Sequence, residues 1–203
     1  MFDMSDELHE RVFGQRLRAD AVKSGTQVLT AADRLLRINP YATLEEIALA
    51  ADVSRATIYR RFPTRQHLSI ALSRWAIGRI VEALSQAQID TAPAYIALYQ
   101  AARNVINVKV SLEYARNLTP PEDPIVYEYQ SKMKKMVNDL LVRCQEEGII
   151  RKDIDLTWTR AIFYAFVHEA TGMEIQNASG IKSSGENLAG LVVDSLLHGV
   201  GPT

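Results

Sequence analysis

A chain of 203 residues, 47% hydrophobic and 23% charged, has enough apolar content for a sizeable core in one large or two small domains, and its composition is not that of a disordered segment. The formal net charge is −1, and a single cysteine, Cys144, excludes an intramolecular disulfide and any zinc site built on a cysteine pair. The longest apolar run, residues 161–167, falls well short of the roughly 18–20 residues that span a bilayer, and the acidic start lacks a basic-then-apolar signal pattern. A cytoplasmic protein with no membrane partner is expected.

The charge is unevenly spread. Residues 1–10 carry four acids and no Lys or Arg, residues 11–80 hold 12 Lys/Arg against five Asp/Glu, and residues 81–203 hold 11 against 15. A basic segment ahead of an acidic body suits a small domain that faces nucleic acid.

Proline at 40, 63, 93, 120, 121, 124 and 202 punctuates segments of helical periodicity, and no stretch alternates over a strand's length, so the fold class is all-α. The first helix is expected over 22–37, with Val22, Val28, Leu29, Ala32, Leu35 and Leu36 as its apolar stripe and Asn39-Pro40 as its stop. Thr43-Leu-Glu-Glu46 then has the form of a capping box and opens a short helix to Ala51. After Asp52-Val-Ser54 a third helix runs from Arg55 to Arg61, with Ser54 as N-cap. After Phe62-Pro63, Thr64 caps a long fourth helix to about Ala87. Further helices are expected near 93–107, 108–117, 124–147, 155–177 and 186–198.

The last two helices line up apolar or small residues: Trp158, Ile162, Phe166 and Met173, then Leu188, Leu191, Val192, Ser195 and Leu196. Val193 and Leu197 extend the apolar surface of the final helix to a second face, which a second copy of the chain would cover.

Two short helices joined by a tight turn, the second opening with small polar and basic residues, form a helix-turn-helix. Ile47, Ala48, Ala51, Val53, Ile58 and Tyr59 would pack its angle, leaving Ser54, Arg55, Thr57, Arg60 and Arg61 facing outward. Arginine forks to guanine, threonine offers a hydroxyl and a methyl, and helix N-termini suit phosphates. Residues 42–68 resemble the N-terminal signature of TetR-family transcriptional regulators through Thr43, Ile47, Ala48, Ala51, Val53, Ser54, Thr57, Tyr59, Phe62 and Leu68. The departures are Asp52 for the usual turn glycine, Ile58 for Leu, Arg61 where His is common, and Arg65 for Lys.

The resemblance implies a three-helix DNA-binding domain over 18–80, with the helix-turn-helix at 43–62, joined by the fourth helix to an effector-binding and dimerisation domain over 81–203. It places Arg55, Ala56 and Thr57 at base edges, Tyr59, Arg61 and Arg65 at phosphates, and Thr43 at the backbone, with Ser54, Arg60 and Thr64 completing the DNA-facing set. Arg11, Arg16, Arg18 and Lys23 would form an arm. The implied partners are double-stranded DNA bearing an inverted repeat, a second copy of the chain, and a mostly apolar or aromatic small-molecule effector that releases the operator. For the effector pocket the candidates are Trp75, Tyr95, Tyr99, Tyr114, Phe163, Tyr164 and His168, and Gly78 leaves room for a neighbour against the fourth helix. The alternative is a ligand-independent regulator or activator whose C-terminal domain only dimerises.

No enzymatic constellation is expected. His168-Glu-Ala-Thr-Gly172 opens like a zinc-protease helix, but Gly172 stands where the second histidine must be, so neither a metal nor another cofactor is implied. No glycine-rich phosphate loop and no nucleophile elbow occurs.

Overall fold

The computed structural model describes residues 6–13, 19–108, 123–176 and 185–200. Every regular element among them is a helix: α1 (Asp6–Phe13), α2 (Ala19–Ile38), α3 (Leu44–Ala50), α4 (Arg55–Arg61), α5 (Arg65–Ser85), α6 (Ala94–Val108), α7 (Pro124–Glu146), α8 (Leu156–Gln176) and α9 (Gly185–Val200). The helix expected near 108–117 lies outside the described residues, apart from its first, as do Tyr114, Arg16 and Arg18. The described residues fall into two compact units, one reaching Arg79 and taking in 123–128, the other made of 80–108 and the rest of the chain from Tyr129.

In the first unit, α2 lays Val28, Leu29, Ala32 and Leu36 into the core. Asn39 ends it, accepting through Oδ1 from the Tyr41 amide at 3.1 Å. Helices α3 and α4 close over that core with Ile47, Ala48 and Ile58, and α5 adds Leu68, Leu72 and Trp75. Helix α1 was not expected from the sequence, where the N-terminus was read only as acidic and Arg11 as part of an arm. It buries Leu8 and Val12, each 2% exposed. Two glycines make room for it: a Cβ on Gly25 would sit 2.5 Å from Phe13, and one on Gly78 would sit 2.2 Å from Leu8. The neighbour for which Gly78 leaves room is therefore α1. Arg11 donates to Glu128 at 2.7 Å rather than standing free as an arm. Its carbonyl accepts from Arg74, whose guanidinium also grips Asp123 through Nε and Nη2, at 2.7 Å for the shortest contact. Burial raises the Asp123 carboxyl pKa, but Arg74 and the amides of Val126 and Ile125 outweigh it and hold the group below its ordinary range.

In the second unit, α6 packs against α8 and α9. Ala97, Ala101 and Ala102 are fully buried along α6, small enough for close approach, while Leu98 and Ile106 fill the space between helices. Leu140, Leu141 and Cys144 of α7, Phe163 and Val167 of α8, and Leu188, Ala189, Val192, Val193 and Leu196 of α9 complete this core. Arg143 ties α7 to the turn before α6 by donating to the carbonyls of Ile89 and Ala92.

Candidate DNA-contacting surface

The two helices of the motif are only seven residues each, too short to persist alone, so their ends must be held. The capping box of α3 is complete: Thr43 Oγ1 accepts from the Glu46 amide at 3.2 Å, and Glu46 Oε2 accepts from the Thr43 amide at 2.7 Å. Ser54 caps α4, its Oγ accepting from the Thr57 amide at 3.1 Å. Between them the chain turns through Asp52, whose φ of 53° is left-handed, a conformation that a glycine adopts without penalty. The turn is closed by the Asp52 amide to Leu49 O at 3.2 Å and the Val53 amide to Ala48 O at 3.0 Å.

This frame presents Ser54, Arg55, Ala56, Tyr59 and Arg60 to solvent, with Thr57 half-buried. Tyr59 was expected inside the angle; it is 41% exposed, and its hydroxyl donates to Glu45 Oε1 at 2.6 Å. Arg55 Nη2 reaches the same oxygen at 2.7 Å. The Tyr59 hydroxyl, a backbone amide and Arg55 together hold the Glu45 carboxyl below its ordinary range, and Glu45 in turn raises the Tyr59 phenol.

Arg61 does not face outward as expected. It is half-buried, with its guanidinium over the Phe13 ring at 5.2 Å and Nη1 beside Gly25, and burial lowers its pKa. The sequence held no sign of this, because α1 supplies the ring. Arg65 is exposed, yet its guanidinium donates to the carbonyls of Ala42 and Pro40, fastening the turn between α2 and α3. Thr64 caps α5, with Oγ1 accepting from the His67 amide at 3.3 Å. Glu45, which organises the exposed face of α4, was missed. Its signal in the sequence was only a second acid beside the capping glutamate.

The effector candidates divide. Trp75 is 3% exposed within the first unit, under the Arg79 guanidinium at 5.7 Å from its ring. In the second unit Phe163 is buried, Tyr99, Tyr164 and His168 are half-buried, and Tyr95 is 47% exposed. The Tyr164 hydroxyl and Gln100 Oε1 are buried with no hydrogen-bond partner. Burial pushes the Tyr164 phenol up to about 12. Of the residues assigned to dimerisation, Leu188, Val192 and Leu196 are inside the unit's own core, Ile162 and Phe166 are half-buried, and Ser195 is exposed. Trp158 at 63%, Met173 at 57% and Leu191 at 60% stand out in solvent on α8 and α9. Cys144 is fully buried, and burial raises its thiol to about 12. No helix among the described residues is long and apolar enough to cross a membrane, and no group of His, Cys, Asp and Glu among them is placed to hold a metal ion.

A capped helix-turn-helix with an exposed basic second helix, on an all-helical chain, is the arrangement of a helix-turn-helix DNA-binding module. Residues 28–72 match the family described as bacterial regulatory proteins, tetR family. The chain is 27% identical over 143 residues to the HTH-type transcriptional repressor LfrR of Mycolicibacterium smegmatis, an alignment covering 69% of this chain and 73% of that protein. The crystal structure of LfrR from Mycobacterium smegmatis in complex with proflavine superposes with a TM-score of 0.68 at 21% identity, covering 89% of this chain and 99% of that one. FadR from Bacillus subtilis in complex with stearoyl-CoA gives a TM-score of 0.62 at 18% identity, over 86% of this chain and 98% of that one.

Proposed function

We propose that the chain is a dimeric repressor that holds an inverted-repeat operator and releases it when a small molecule binds its C-terminal domain. The DNA-binding domain is residues 18–80 and the effector and dimerisation domain 81–203. The observation that carries this reading is the first turn of α4, capped by Ser54 and exposing Arg55 and Ala56 where base edges would lie. Arg55, Ala56 and Thr57 read bases; Tyr59 and Arg60 meet phosphates, Arg60 taking the place of the inward-turned Arg61. Repression and release follow the relatives: LfrR is a repressor, and two similar structures hold proflavine and stearoyl-CoA.

A largely apolar effector with few polar groups suits a core of alanine, leucine and phenylalanine in which the Tyr164 hydroxyl and Gln100 Oε1 lack partners. A second copy of the chain suits Trp158, Met173 and Leu191, large apolar side chains exposed on two helices that pack together. Selection of bound duplexes from a random pool, repeated against a metabolite panel, tests the reading. The expected outcome is an inverted repeat with half-sites about 34–36 Å apart, lost on adding one class of metabolite. An unrepeated half-site, or a monomer in sedimentation at micromolar concentration, would overturn it.

A further inference from the structure

Helix α1 meets α4 at its last residues. The Phe13 ring lies 5.2 Å from the Arg61 guanidinium, centroid to Cζ, and 6.5 Å from the ring of Phe62, which ends α4. Gly25 of α2 floors this contact, since a Cβ there would sit 2.5 Å from Phe13 and 2.6 Å from Arg61 Nη1. The berth leaves Arg61 incompletely satisfied. Its Nη1 is buried with no hydrogen-bond partner, and burial, then the neighbouring Arg60, lower its pKa. Other arginines drawn inward in this unit are met by a carboxylate, Arg37 by Asp33 and Arg74 by Asp123. Arg61 has a ring instead. A phosphate oxygen is the acceptor that its spare donor lacks.

We propose that α1 is an autoinhibitory element: docked, its Phe13 competes with a DNA backbone phosphate for Arg61 and so lowers affinity for every duplex. The inference rests on the DNA-facing role of α4 proposed above. Eight residues are too few for a helix to persist alone, so α1 is folded only while docked, with Leu8 and Val12 buried. Whatever unseats it removes the ring from beneath Arg61. The guanidinium cannot stand over Phe13 and on a phosphate at once, so docked α1 lowers affinity by the weaker of those two contacts. A cation over an aromatic ring is worth about two- to fivefold in an equilibrium at a solvated site, and up to about 30-fold when desolvated. Phosphates carry no sequence information, so the preferred motif is unaffected.

The test uses the full chain with its selected operator and a scrambled duplex of equal length. Phe13→Leu keeps an apolar side chain beside Gly25 without the ring, and is expected to raise affinity for both duplexes equally, about two- to fivefold for each protomer bound. Arg61→Met should abolish that gain, so that adding Phe13→Leu to it changes neither affinity. A second measurement needs only the wild-type protein. Coupling is reciprocal, so saturating duplex should loosen α1 by the same factor, read as amide exchange over residues 6–13 about two- to fivefold faster on DNA. No gain from Phe13→Leu, a gain confined to the operator, a gain that persists with Arg61→Met, or exchange that is unchanged or slower on DNA would overturn the proposal. A wild-type protein that binds neither duplex would instead remove the DNA-facing role of α4, a separate failure visible before any variant is made.

Discussion

Helices α3 and α4 keep their places by their ends, whereas α6, α8 and α9 keep theirs by their sides. The short pair buries few large side chains, Ile47 and Ile58 at 0% exposure foremost, and spends Thr43, Glu46, Ser54 and Thr57 on caps. The long helices of the second unit bury stripes of alanine, leucine and valine and depend on removing apolar area from water. Their polar groups differ too. On α4 the exposed Arg55 and Tyr59 are already paired with Glu45, while Gln100 and Tyr164 each keep a buried polar atom without a partner. A surface that meets a polyanion is solvated or ion-paired beforehand; a buried group has no such reserve and bears the full cost of being unmatched.

The sharpest way to break this contrast is to truncate one fully buried side chain in each region. Ile58→Ala and Leu98→Ala should each cost about 2–5 kcal/mol, measured by denaturant unfolding. Only Ile58→Ala should also erase sequence preference in a folded sample below its unfolding midpoint; equal loss from Leu98→Ala would mean the regions are not separable. Next in size, Gly78→Leu should unseat α1 and forfeit the burial of Leu8, about 1.5–3 kcal/mol, and speed amide exchange over residues 6–13. Unchanged exchange there would show that Leu8 simply repacks.

Cap removal comes third. Ser54→Ala should cost about 1 kcal/mol and loosen α4 selectively, read as faster exchange of the Thr57 amide. Smallest is Asp52→Gly, which removes a left-handed penalty of about 1–2 kcal/mol but adds about 0.5–1 kcal/mol of glycine entropy. A net gain between zero and about 1.5 kcal/mol is expected; a loss would mean that the Asp52 side chain repays its own backbone.

The parts of the fold that announce themselves locally were legible in the sequence. Ser54 and Phe62-Pro63 bracket α4 at the residues where it begins and ends, and Thr43 with Glu46 marks the start of α3. What needed a distant partner was not legible. Arg61 and Arg65 sit in a basic run and read as phosphate ligands, yet one is drawn over the Phe13 ring and the other onto the carbonyls of Pro40 and Ala42. Helix α1 has eight residues and two buried aliphatics, too little periodicity to stand out from an acidic N-terminus. The buried face of α9 was read correctly as apolar at Leu188, Val192 and Leu196, but periodicity does not say whether the chain's own core or a second copy covers it.

The position of Cys144 also makes the protein convenient to probe. The thiolate is the nucleophile that attacks thiol-directed reagents, and a fully buried group raised to about 12 supplies almost none of it at neutral pH. Since this is the sole cysteine of the chain, a cysteine introduced at an exposed position such as Gln66 would be the only one to react. A single spin label or fluorophore there, on the first turn of α5 just beyond α4, would give one reporter per chain for following its approach to DNA.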